Sequence, residues 1–197
     1  MKISYTSSNA LAIPHPVPKS SLHYILALKL PSNSPTKILE ALQDPAILAL
    51  ARHEVREFKG YVELELQRLI EQPSIQATSP GAGARLSGLA QHSGSRDRGN
   101  EILVGVHANP DIEGLYIHII TKDMRSKEVL HKTHYNSFAS RFFISLDEFP
   151  ITKGEIYIRA SVLWSALRCW RCGRIFDNQI AEFKAHLEEE FTMWRLS

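Results

Sequence analysis

The chain has 197 residues, 44% of them hydrophobic and 22% charged, which suits one main folded domain with a small appendage and excludes wholesale disorder. Its 23 Lys and Arg against 21 Asp and Glu leave a net charge of +2, so no global field advertises nucleic acid and any basic surface must be local. No run approaches the roughly 18 apolar residues of a membrane span, and the opening Met1-Lys2-Ile3-Ser4-Tyr5 lacks an apolar signal core.

Residues 3–13 read as a short strand running into Pro14, Pro16 and Pro18, which forbid regular structure. Residues 22–30 follow as an almost continuously apolar strand, which predicts a central place in a sheet. Ser34-Pro35-Thr36 starts a short helix to about Gln43, and Asp44-Pro45 then forms an N-cap with proline at the first helical position. From there Ile47, Ala51, Val55, Phe58, Val62, Leu66 and Leu69 recur at spacings of three and four. They form the inner face of a long amphipathic helix ending near Gln72-Pro73, weakened or bent at Gly60.

Residues 73–100 hold five of the ten glycines, five serines and no aromatic ring, and read as a flexible insertion. Residues 101–107 and 115–120 form a strand pair across an Ala108-Asn109-Pro110-Asp111 turn, and 142–146 a third strand after a loop rich in Lys and His. Residues 150–165 carry no clear pattern, though Trp164 is expected to pack where the main domain meets the tail. Residues 1–150 are thus one domain, and 151–197 a connector and a distinct tail.

In that tail, Cys169-x2-Cys172-x13-His186-x3-Glu190 brings two thiolates from a tight knuckle to a histidine and a carboxylate four apart on one helix face. Asp177 can cap this helix, 178–194, whose inner face is Ile180, Phe183, Leu187 and Phe191. The pattern suits a zinc ion, and a tail of about 30 residues has almost no core without one. The alternative, a free cysteine pair beside a solvated helix, leaves its fold unexplained. Cysteines kept reduced favour a nuclear or cytosolic setting.

Strand alternation in Leu115-Tyr116-Ile117-His118-Ile119-Ile120 sends Leu115, Ile117 and Ile119 into the core and Tyr116 and His118 to the other face, where His107 of the preceding strand can join them. A lone histidine there would more often be a satisfied polar side chain than a catalyst.

Four blocks together resemble the aprataxins, especially the fungal aprataxin-like proteins: Gly105-Val106-His107-Ala108-Asn109-Pro110, the 115–120 strand, Lys132-Thr133-His134-Tyr135-Asn136-Ser137-Phe138, and Cys169-Trp170-Arg171-Cys172-Gly173. Pro18-Lys19-Ser20-Ser21-Leu22-His23 also matches. The resemblance implies an α+β histidine-triad domain, an antiparallel sheet with helices, joined to a carboxy-terminal zinc finger in which zinc is structural. It implies removal of AMP from the 5′ phosphate of DNA left by abortive ligation, through attack of a triad histidine on phosphorus and hydrolysis of the covalent intermediate. His118 and His107 fall in the catalytic pocket, and Lys19, His23, Lys132, His134, Tyr135 and Ser137 among the DNA or nucleotide contacts.

The departures are informative. Tyr116 stands at the position of the nucleophilic histidine, Gly114 where the first triad histidine often stands, Asp111 in place of a phosphate-binding serine, and His15 in place of an acidic residue on the ribose. A phenol of pKa about 10 is protonated at neutral pH and leaves phosphorus less readily than imidazole. The family's amino-terminal wedge helix has no counterpart ahead of the first strand. Arg159, Arg168, Arg171 and Arg174, with Trp164 and Trp170 among them, form a local charge of +4 uninterrupted by acid. Arg168, Trp170 and Arg171 are expected to meet DNA, a solvated face being the bland alternative.

Three functions follow in order. The first is an enzyme that hydrolyses 5′-adenylated DNA in repair. The second is a module that binds nicked or adenylated ends without turnover, and the third a histidine-triad hydrolase of small nucleotides. The expected setting is a nuclear monomer.

Overall fold

The computed structural model describes residues 3–71, 98–111 and 114–196. Most of the expected flexible insertion, 73–97, lies outside the described residues; its last residues, 98–100, belong to a 3-10 turn, Arg98–Glu101, that leads into the next strand. Among the described residues no helix is long and apolar enough to cross a membrane.

Six strands make one antiparallel sheet in the order β1-β2-β3-β5-β4-β6. They are β1 Tyr5–Thr6, β2 Ala10–Pro14, β3 His23–Leu28, β4 Ile102–His107, β5 Tyr116–Thr121 and β6 Phe143–Ser145. The apolar 22–30 run is interior, as its composition predicts. The expected strand at 3–13 is instead a hairpin, because Ser7 Oγ accepts the N–H groups of Asn9 and Ala10 and turns the chain. Glu54, 2% exposed, pins that turn by accepting from Tyr5 Oη, Ser7 Oγ and Asn9 Nδ2.

Helix α1, Ile38–Ala41, is a single turn. Helix α2, Pro45–Glu71, starts where the cap signal places it: Asp44 Oδ1 accepts from Ala46 N–H at 2.8 Å and Ile47 N–H at 3.2 Å. It buries Ala51, Val55, Phe58, Val62 and Leu66 against Leu26, Leu28, Ile117 and Ile119 of the sheet. Gly60 lies on its exposed side and does not interrupt it.

The other sheet face is covered too. Alternation on β5 sends Ile120 to that side, where it packs with Phe138, Phe143 and Tyr135, and with Leu167, Phe176, Phe183 and Leu187 of the tail. Burying the last three side chains at roughly 1.5–3 kcal/mol each fixes the tail onto the sheet.

Helix α3, Lys132–Ala139, occupies what was expected to be a Lys- and His-rich loop. Only Tyr135, Asn136 and Phe138 of its eight residues are buried, too few to show a helical period in the sequence. The unassigned 150–165 stretch holds α4, Lys153–Ala160, and the 3-10 turn Ser161–Trp164. The hairpin of β7, Leu167–Arg168, and β8, Ile175–Phe176, precedes α5, Ile180–Leu196. That helix begins beyond Asp177, with Phe183 N–H donating to Gln179 O in its first turn.

Candidate functional site

On β5, His118 pairs with Ile25 of β3 and Gly105 of β4. A Cβ at Gly105 would stand 2.1 Å from Ile144 O, so only glycine lets β6 approach β4 at the level of His118. A cavity of about 580 Å³ opens on this face, within the range of small-molecule sites. Its polar lining is His15, Lys19, His23, His107, His118 and His134, and its apolar lining Val17, Ile25, Phe142, Leu163 and Trp164. Tyr116, Asp111 and Ser137 also line it.

Hydrogen bonds settle which ring nitrogens carry protons. Lys19 N–H donates to His23 Nδ1 at 3.2 Å, so a neutral His23 holds its proton on Nε2. That Nε2–H donates to His118 Nδ1 at 3.1 Å, leaving the proton of His118 on Nε2. Val17 N–H donates to His15 Nδ1 at 3.0 Å, so His15 likewise presents Nε2–H. All these rings are neutral at pH 7. Burial first, then the neighbouring histidines, hold His23 and His118 well below the ordinary histidine range, and burial with His15 takes His107 down to about 4.

Ring nitrogens of His15, His23 and His118 lie within 4.8 Å of one another, close enough for a metal. The protonation pattern opposes one. The acceptor nitrogens of His15 and His23 already take backbone N–H groups, and these two rings stack at 4.1 Å and 13°, so their in-plane lone pairs run side by side without converging. The wall thus offers two neutral donors, the Nε2–H groups of His15 and His118. Among the described residues His107 Nε2, buried in the same wall, has no hydrogen-bond partner.

The tail supplies a different donor set. Ligand atoms of Cys169, Cys172, His186 and Glu190 all lie within 4.8 Å of one another. Cys172 Sγ is 3.2 Å from His186 Nε2, which is 3.5 Å from Glu190 Oε1. A tetrahedral zinc with bonds of about 2.3 Å to sulfur and 2.0–2.1 Å to nitrogen or oxygen spaces its ligands about 3.4–3.8 Å apart, so these residues fit the ion. The knuckle is held by Cys169 N–H to Arg174 O and Gly173 N–H to Cys169 O, with Gly173 at φ +75°, a left-handed conformation that glycine adopts without strain. Arg171 reaches Glu190 through its backbone O at 2.9 Å and its carboxylate at 3.6 Å, orienting the ligand from behind.

Comparison with known proteins agrees with both halves. Residues 139–193 match the family model of the C2HE / C2H2 / C2HC zinc-binding finger. An aprataxin-like protein of Schizosaccharomyces pombe is 30% identical over 196 residues, covering 98% of this chain and 75% of that relative. The chain belongs to the aprataxin-like proteins. The aprataxin-like protein of Saccharomyces cerevisiae is 27% identical, covering 96% of this chain and 87% of its own. Hnt3 in complex with DNA and guanosine superposes with a TM-score of 0.75 at 25% identity, covering 98% of this chain and 88% of that one.

Within this aprataxin-like fold the expected site residues divide. His23, His107, His118, Tyr116, Lys19, His134 and Ser137 meet at the cavity. Lys19 Nζ donates to Glu128 O, which lies 3.1 Å from His134 Nδ1, and Ser137 Oγ donates to His134 O. Lys132 lies outside the cavity, its Nζ on Asn178 Oδ1 at 3.2 Å. Tyr135 is corrected to a structural residue: it is 1% exposed, its hydroxyl donates to Arg168 O and accepts from Trp170 N–H, both at 2.9 Å, and burial raises its pKa. Trp170, half-buried, packs against both hydrophobic clusters.

Three arginines of the cluster meet carboxylates of the chain itself. Arg159 is 7% exposed between Glu148 and Glu155, Arg171 is on Glu190, and Arg174 meets Glu182 at 2.8 Å. Arg168 is exposed, with Gly173 O as its partner at 3.3 Å. The acids that meet the cluster, Glu148, Glu155, Glu182 and Glu190, lie outside the 159–177 stretch, so a charge count confined to it omits them. Trp164, expected at a packed junction, is 70% exposed. His15 enters the wall as more than a replaced acid; its signal is the hairpin register, since Pro14 pairs with Tyr24 and the next pair brings His15 to His23.

Proposed function

We propose that this chain recognises 5′-adenylated DNA ends in DNA repair, holding the adenylate in the histidine cavity and releasing AMP slowly. The observation that carries this reading is the buried His107 Nε2, without a partner among the described residues, beside the Nε2–H donors of His15 and His118, where a phosphoryl group would meet them. Lys19 adds a cation at the same wall. The Hnt3 relatives bound to DNA and guanosine support a nucleic-acid end as the occupant, and exposed Arg168 and half-buried Lys132 offer it phosphate contacts outside the cavity. A nuclear monomer with a structural zinc ion in the tail fits this role.

Slow release follows from Tyr116. Its ring meets His118 edge-on at 5.4 Å between centroids, but His118 presents an N–H there, its Nδ1 lone pair being taken by His23. His118 therefore acts as a donor and does not serve as the base a phenol of pKa about 10 needs. Incubation with a 5′-adenylated nick should show binding with little AMP released, and Tyr116→His should raise release by at least tenfold. Rapid release by the native chain, lost in Tyr116→Phe, would overturn this reading and make the phenol the nucleophile.

A further inference from the structure

Three tryptophans take three different places. Trp194 is 4% exposed in the core and Trp170 is half-buried, whereas Trp164 leaves 70% of itself to solvent. Among the described residues no aromatic ring or cation stacks on its indole. Yet its backbone is tightly held. Asn136 on α3, itself 2% exposed, donates one side-chain N–H to Leu163 O at 3.1 Å and the other to Ser165 O at 2.8 Å, clamping both neighbours of Trp164. Ser165 N–H closes the turn on Val162 O. A buried amide committed to holding an exposed ring marks a presented surface, since an unused amide in that place would be costly.

The ring lines the histidine cavity beside Leu163 while most of it stays open to solvent. The cavity thus combines N–H donors for an anion with an exposed flat ring for an apolar group. We propose that Trp164 is a base-stacking residue that takes the adenine of the adenylate while the phosphate lies against His15, His107 and His118. The inference rests on reading the cavity as a nucleotide site.

The test compares AMP with ribose 5-phosphate, which lacks the base, by calorimetric titration of the full zinc-loaded chain, native and with Trp164→Ala or Trp164→Phe. Trp164→Ala should weaken AMP binding about 10- to 100-fold, Trp164→Phe should restore most of it, and ribose 5-phosphate should bind all three alike. AMP should also quench tryptophan fluorescence in the native chain but not in Trp164→Phe. Equal AMP affinity in the native and Trp164→Ala chains would overturn the stacking role while leaving the nucleotide site standing. A fall in affinity for nicked DNA alone would overturn the assignment to the adenylate. Failure of the native chain to bind AMP would overturn the nucleotide reading itself.

Discussion

Tyr135→Phe separates a strut from a DNA contact. The ring stays, so no cavity forms; what goes is the hydroxyl that bridges α3 to the zinc knuckle, leaving Arg168 O and Trp170 N–H without their 2.9 Å partner. Each unpaired buried group costs about 1–3 kcal/mol. Arg168 is exposed and Trp170 half-buried, so water can reach these groups in part, and the sum falls near about 2 kcal/mol. For a chain of this length that lowers Tm by about 4–8 °C. Thermal unfolding followed by circular dichroism, with DNA affinity measured on the same samples, reads both quantities. Unchanged Tm together with weakened DNA binding would refute the structural role and return Tyr135 to the interface.

Two further outcomes follow from the same geometry. His107 is held at about 4 in the fold and returns to about 6.5 when unfolded, so the unfolded chain takes up protons first. Stability is full above pH 6.5 and falls as pH drops towards 4, by on the order of 3 kcal/mol from this residue alone; His107→Gln should flatten the curve in that window, and an unchanged slope in urea unfolding would refute the assignment. Removing zinc with a chelator, or Cys172→Ser, should open residues 167–196 to protease while the sheet keeps its circular dichroism. A tail that resists protease after the metal is shown by mass spectrometry to be gone would refute the structural role of zinc.

What the sequence reveals depends on how far apart the deciding groups lie. The α2 face and its Asp44-Pro45 cap are legible because period and cap are local, and the zinc ligands because their spacing is set by one knuckle and one helix turn. The apolar 22–30 run places β3 inside the sheet for the same reason. Helix α3 was hidden because its core contacts are two rings and an amide in eight residues. The role of Tyr135 depends on backbone atoms more than 30 positions away, and the arginines meet Glu155, one helix turn before Arg159, and Glu182, both outside the 159–177 stretch that carries the local charge.

The histidine cavity ties these points to chemistry. Two protonated rings at the 5.3 Å separation of His23 and His118 would repel by about 3 kcal/mol at an effective dielectric near 20. Charging either ring also means displacing a hydrogen bond, since His118 Nδ1 takes the proton of His23 and His23 Nδ1 that of the Lys19 backbone. The array therefore resists protonation and works through fixed N–H dipoles, much as the first turn of a helix does for a phosphate. Such a site attracts an anion through N–H dipoles beside Lys19, which suits a chain whose net charge is +2 and whose Arg159, Arg171 and Arg174 are engaged with its own carboxylates. On the proposed reading, the arrangement that seats a phosphoryl group also commits His118 Nδ1 to His23, so holding of the adenylate is expected to outlast its release.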